Sequence, residues 1–121
     1  MTTQHPPTFE DKRRFFETTL GHPRRILAPM VDGSDAAFRA FVRMHGVDLC
    51  YTPMVYAKQF VKDKTYRKEV VASIAPGEHP LVIQIVGNDP TEMRRTAKTL
   101  QRFGDAIDIN LGCPVGKVVS N

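Results

Sequence analysis

The feature that most constrains this chain is a regular alternation of short apolar runs with stretches of helical periodicity. Ile26-Leu27-Ala28, Val47 to Tyr51, Leu81 to Val86 and Ala106 to Leu111 are candidate buried strands. Between the first two, Ala37, Phe38, Phe41, Val42 and Met44 recur at three- and four-residue spacing, which predicts the apolar face of a helix. Ser34 is expected to cap that helix, Asp35 puts negative charge at the positive end of its dipole, and Gly46 is the expected stop. Before the fourth strand, Asp89 at the N-cap, Pro90 at the first helical position and Glu92 three residues after the cap predict a capping box. Met93, Ala97 and Leu100 form the inward stripe of the helix that follows.

Val55 to Val71 reads as mixed, helical in part and rich in Lys and Arg. At the start, Met1 to Pro7 is a loose tail, and Phe9 to Leu20 is a short helical segment stopped by Gly21-His22-Pro23. Strand, helix, strand, helix at this spacing implies parallel strands with right-handed crossovers, and both open doubly wound sheets and (β/α)8 barrels begin so. Four strands in about a hundred residues is the pace of a barrel of about 250. The expectation is therefore an α/β chain forming the N-terminal half of a TIM barrel, truncated after the fourth strand. Residues 1–24 would be a tail with a short helix, and residues 25–121 an incomplete barrel domain.

No apolar run approaches the ~18 residues of a membrane span, and the acidic Glu10 and Asp11 argue against a mitochondrial presequence. A cytoplasmic or nuclear setting is expected. Cys50 and Cys113 lie far apart and show no CxxC pattern, so separate thiols are expected in a reducing compartment. The net charge of +4 is compatible with a polyanionic partner without requiring one. His5, His22, His45 and His79 are scattered, and without a His/Cys cluster at ligand spacing no metal site is expected.

In a barrel, chemistry gathers at the carboxyl ends of the strands. Here those ends carry Pro29-Met30-Val31-Asp32-Gly33, Tyr51-Thr52-Pro53-Met54, Gln84 within an aliphatic run, and Asp108-Ile109-Asn110-Leu111-Gly112-Cys113-Pro114. Asp108 and Asn110 alternate with Ile107 and Ile109, so the polar pair shares one face. Two readings of Gln84 stand at this level: an amide that satisfies backbone groups, or one that meets a ligand. A methionine such as Met30 is more often core filler than a ligand neighbour, and Cys50 reads as a small buried hydrophobe. Cys113, between Gly112 and Pro114 just past a strand, is placed to face a pocket.

Leu27-Ala28-Pro29-Met30-Val31-Asp32, the strand carrying Gln84, and Asp108 to Pro114 together resemble the tRNA-dihydrouridine synthase family, from about Ile26 onward. Asn110 to Pro114 is the specific part of the match. Tyr51 to Met54 through Tyr66-Arg67-Lys68 is similar to the eukaryotic branch that acts on the tRNA D-loop, whereas Val115 and Lys117-Val118-Val119 are similar to bacterial members. The resemblance implies an FMN-binding barrel followed by a small helical domain, and reduction of the uridine C5=C6 bond in tRNA with NADPH reducing the flavin. Cys113 would be the general acid to C5, with hydride going to C6. Pro29, Met30 and Val31 match the turn along the flavin, Gln84 matches the amide that bonds it, and Asn110 falls on the substrate side. The target base would have to leave its stack.

Arg94, Arg95, Lys98 and Arg102 lie opposite the inward stripe, either as tRNA phosphate contacts or as ordinary solvated surface. The family's later lysine, histidine and arginine have no counterpart before Asn121, so an inactive fragment is expected. Two alternatives remain: another FMN barrel oxidoreductase, and a non-catalytic RNA-binding or interaction fragment.

Overall fold

The structure, a computed structural model, describes residues 5–112. Its sheet is parallel throughout and contains β1 (Ile26–Leu27), β2 (Leu49–Tyr51), β3 (Val55–Tyr56), β4 (Leu81–Val86) and β5 (Ala106–Ile109). The helices are α1 (Phe9–Arg14), α2 (Ala36–Met44), α3 (Ala57–Lys62), α4 (Lys64–Ala72) and α5 (Pro90–Leu100), and a π-helical turn over Phe15–Thr19 prolongs α1.

Two of the strands are one strand interrupted. Cys50 and Tyr51 of β2 pair with Leu81 and Val82, and Val55 and Tyr56 of β3 pair with Ile85 and Val86 on the same edge of β4. The register slips by one residue across Thr52-Pro53-Met54, where Pro53 has no N–H to offer the ladder. With β2 and β3 taken as one, lateral order follows chain order: β1 beside β2, then β4, then β5. A doubly wound sheet reverses its order at a switch point. This one does not, which is consistent with part of a singly wound barrel.

The third and fourth strand expectations hold almost to the residue, the latter ending early because Asn110 leaves the sheet after its N–H bonds Ile85 O at 2.9 Å. The second starts later than expected. Val47 N–H is taken by Val42 O, and the Asp48 carboxylate accepts from the N–H groups of Arg24 and Arg25. These two bonds hold the Asp48 carboxyl below its ordinary pKa, although burial opposes them.

The core lies between the sheet and the helices. Cys50, Leu81, Ile83 and Ile85 project from one sheet face onto Phe60, Ile74 and Leu100, and Met93, Ala97 and Ile107 pack around them. Cys50 is indeed a buried hydrophobe, and burial raises its thiol pKa. Gly104 is needed at the close approach: a Cβ there would sit 2.9 Å from Ile83 Cγ1 and 3.1 Å from the Leu81 carbonyl.

Three local expectations are corrected. Asp35, not Ser34, caps α2, its Oδ1 accepting from Phe38 N at 2.8 Å. Ser34 is instead buried inside the preceding turn, bonded to Met30. The apolar face of α2 is only partly used: Val42 packs against the core, while Phe38, Phe41 and Met44 are exposed and Arg39, with no exposed surface, is turned inward. Its guanidinium is tolerated there because Glu78 binds it twice, at 2.6 and 2.9 Å. Third, Asp89 caps α5 through Glu92 N at 2.8 Å, but the Glu92 carboxylate pairs with Lys62 at 3.3 Å instead of closing a capping box. A reciprocal box forms at α1, between Thr8 and Asp11. No helix among the described residues is long and apolar enough to cross a membrane.

Candidate functional site

At the carboxyl end of β1 the chain turns sharply through Pro29 to Ser34. The Met30 carbonyl accepts from Gly33 N, Ser34 N and Ser34 Oγ, at 3.1–3.2 Å, and Met30 N–H donates to Ser34 Oγ at 2.9 Å. Asp32 takes the left-handed conformation, with φ of 57°. A Cβ at position 33 would stand 2.9 Å from Met30 Cβ, so the turn closes only with glycine there. The Met30 backbone is thus consumed internally, leaving the exposed side chains of Met30 and Val31 as an apolar platform.

The strand break beside β4 serves the next part of the site. Thr52 is buried, its Oγ1 accepting from Gln84 N at 3.2 Å and donating to Pro53 O at 2.9 Å. Gln84 points away from the helix-packed face, as do Tyr51 and Asp108, because each alternates with an inward aliphatic residue. Gln84 Nε2 donates to Asp108 Oδ2 at 2.7 Å, and Gln84 Oε1 accepts from Asn110 Nδ2 at 3.1 Å. Asn110 Nδ2 also reaches Met54 Sδ at 3.8 Å, while its Oδ1 accepts from Gly112 N at 3.1 Å. Burial, and to a lesser extent the Asp108 carboxylate, pushes the Tyr51 phenol above its ordinary value.

Leu27, Cys50 and Leu81 lie level across the sheet. Three residues beyond Leu27 comes Met30, in the turn that leaves β1, and three beyond Leu81 comes Gln84, still within β4, so both fall toward the carboxyl ends of the strands.

The structure brings Gln84 and Asn110 together and sets the Pro29–Val31 turn at the same rim. Arg94, Arg95, Lys98 and Arg102 are separated from them. All four are exposed, the first three on α5, which packs on the other face of the sheet, and Arg102 just beyond it, stacked over Phe103 at 5.1 Å. Cys113 lies outside the described residues, immediately after Gly112. Asp108 joins the network as its alternation with Ile107 and Ile109 implied, whereas Thr52 and Met54 belong to it without a role having been read from sequence. The proline-broken Tyr51-Thr52-Pro53-Met54 run was their signal. Among the described residues no group of His, Cys, Asp and Glu is arranged to hold a metal ion.

The residues present fit a flavin. Gln84 is 8% exposed and, after its two bonds, keeps one amide hydrogen and one oxygen lone pair for a ring edge. Met30 and Val31 offer the apolar surface a ring plane needs.

Fold and site together define an α/β protein with a parallel sheet and a polar side-chain network at the carboxyl ends of its strands. More particularly, the chain belongs to the dihydrouridine synthase family, whose model, described as Dihydrouridine synthase (Dus), matches residues 26–121. It is 48% identical over 101 residues to a Mus musculus protein named tRNA-dihydrouridine(16/17) synthase (NAD(P)(+))-like, covering 83% of this chain and 21% of the relative. It is 46% identical over 104 residues to the Schizosaccharomyces pombe tRNA-dihydrouridine(16/17) synthase (NAD(P)(+)), covering 85% and 26%. With the human tRNA-dihydrouridine(20a/20b) synthase (NAD(P)+)-like protein the identity is 40% over 90 residues, covering 74% and 28%. The chain spans about a quarter of the length of the curated relatives it matches.

Proposed function

We propose that this segment forms part of an enzyme that reduces uridine to 5,6-dihydrouridine in tRNA, with FMN as cofactor and NAD(P)H as reductant. The observation that supports this most directly is the fixed amide of Gln84 toward the carboxyl end of β4, bonded to Asp108 and Asn110. In this reading Pro29, Met30 and Val31 lie along the flavin and Gln84 bonds its ring edge. Bound FMN supplies, at the expense of NAD(P)H, the hydride that adds to uracil C6.

Cys113 gives the proton to C5. The thiol S–H bond breaks, the electron pair of the C5=C6 bond forms the new C5–H bond, and a thiolate remains to be reprotonated from solvent. A thiol of ordinary pKa, about 8.5, is mostly protonated at neutral pH and so is loaded for that task. Asn110 faces the substrate from the same rim, and the uracil must leave its stack to reach it. Arg94, Arg95, Lys98 and Arg102, lying apart from the site, contact the phosphate backbone and contribute affinity without sequence choice.

Positions 16 and 17 are the favoured targets, because relatives named for them share 43–48% identity and those named for 20a and 20b share 35–40%. The reaction belongs to a longer protein, inactive when reduced to these 121 residues, in a cytoplasmic setting with the nucleus included. Cys113→Ala in the full-length protein tests the assignment. Flavin should stay bound while dihydrouridine, measured by mass spectrometry of tRNA from a complemented knockout, falls about 10²–10⁴-fold. Near-wild-type dihydrouridine would overturn it.

A further inference from the structure

We propose that Asp108 is the positioning residue of this site. It sets the direction of the Gln84 and Asn110 amides in series, so that Gln84 presents its free donor and acceptor to the flavin in one order only. The inference rests on the flavin reading above and deepens it.

The argument follows from which groups can donate. A carboxylate only accepts, whereas a primary amide carries a donating and an accepting end that are nearly the same size. Gln84 stands between Asp108 and Asn110, and by shape alone could turn either way. Asp108 Oδ2, at 2.7 Å, compels the Nε2 end to face it. Gln84 Oε1 must then face Asn110, which has to answer with Nδ2, at 3.1 Å. That commitment leaves Asn110 Oδ1 for the Gly112 N–H, at 3.1 Å, an Asx turn at the residue before Cys113. One anion thus orients two amides and a backbone N–H across two strands.

The remaining capacity of Gln84 follows from the same logic: one hydrogen on the Asp108 side and one lone pair on the Asn110 side. A ring edge with an acceptor beside a donor is met correctly in one orientation. In the reversed orientation donor faces donor and acceptor faces acceptor.

Exchanging the two outer residues separates orientation from mere support. In Asp108→Asn/Asn110→Asp the carboxylate at 110 accepts from both Gln84 Nε2 and Gly112 N–H, and the new amide at 108 donates to Gln84 Oε1. The three bonds of the series are restored with Gln84 reversed, and what is lost is the weak contact from Asn110 Nδ2 to Met54 Sδ at 3.8 Å. The experiment compares wild type, Asn110→Asp and the double variant of the full-length protein, by thermal midpoint without flavin and by FMN titration. Asn110→Asp sets a carboxylate on each side of Gln84 and should melt below wild type. The double variant should recover the wild-type midpoint yet bind FMN at least about ten-fold more weakly.

A double variant that melts and binds FMN like wild type would reduce Asp108 to a structural partner and overturn the proposal. A double variant that melts as low as Asn110→Asp would overturn the directed series itself. If the wild-type protein bound no FMN, the proposed function would fall, while the melting comparison would still decide whether Asp108 directs the amides.

Discussion

Replacing Arg39 by methionine keeps the length of a buried side chain and removes its guanidinium. In the folded protein that group donates to both oxygens of Glu78, at 2.6 and 2.9 Å, to the Ser34 carbonyl at 2.8 Å and to the Ser73 carbonyl at 2.9 Å. It ties the turn beneath α2 to the end of α4 and to the loop before β4. After substitution the Glu78 carboxylate, 8% exposed, keeps Arg43 as its cationic neighbour among the described residues, at 3.7 Å, and two carbonyls lose a donor. Removing one partner of a buried ion pair costs about 3–5 kcal/mol. That is a fifth or more of the ~5–15 kcal/mol that holds a typical domain together.

Glu78→Gln keeps an acceptor against Arg39 but leaves that buried guanidinium without its counter-charge, so a comparable loss of about 3–5 kcal/mol is expected. The two substitutions differ in acid. Burial alone would raise the Glu78 carboxyl, but hydrogen bonding and charge from Arg39, helped by Ala75 N–H and Arg43, outweigh it and hold the carboxyl below 4.5. The folded value therefore lies below the unfolded one. The stability this group contributes is present above about pH 4.5 and fades as pH falls through the lower, folded value. Glu78→Gln should flatten that part of the acid dependence. Urea denaturation followed by circular dichroism, at pH 7 and at steps below 4.5, measures both effects. An Arg39→Met protein within about 1 kcal/mol of wild type at pH 7, or an unaltered acid slope in Glu78→Gln, would refute the reasoning.

Gly104→Ala forces a Cβ against Ile83 Cγ1 and the Leu81 carbonyl, so a loss of about 1–3 kcal/mol is expected in the same denaturation assay. A neutral result would mean that the turn before β5 can yield. Converting Arg94, Arg95, Lys98 and Arg102 to glutamine should leave folding intact, because all four are exposed, and should flatten the salt dependence of tRNA binding in filter or fluorescence titrations. An unchanged slope would return them to ordinary solvated surface.

Much of the fold was written locally. The aliphatic run of β4 is apolar enough to be buried on both faces, and Asp89-Pro90 carries its helix start in the residues themselves, so both were legible without a partner. The single polar face of Gln84, Asp108 and Asn110 was half legible: alternation put Asp108 and Asn110 together within their own strand. Their bonds to Gln84 span 24 and 26 residues and exist only because parallel register sets Gln84 beside Asp108.

The misreadings have the same origin. Periodicity put Phe38, Phe41, Val42 and Met44 on one apolar face, yet of these Val42 alone packs on the core and the helix turned Arg39 inward, because Glu78, 39 residues away, makes burial of that charge tolerable. A one-residue slip across Pro53 divided an expected strand from a segment that had read as mixed, and no local pattern announces where a ladder resumes. The basic residues around α5 do lie on its outer side, as their spacing implied, but only the sheet shows that they stand apart from the polar network, since α5 packs on the opposite face. Sequence by itself determined which residues prefer strand, helix or cap, because those preferences act over a few bonds. Only the tertiary structure decided which polar groups meet, because a hydrogen bond between distant residues depends on register and helix rotation that the rest of the chain imposes.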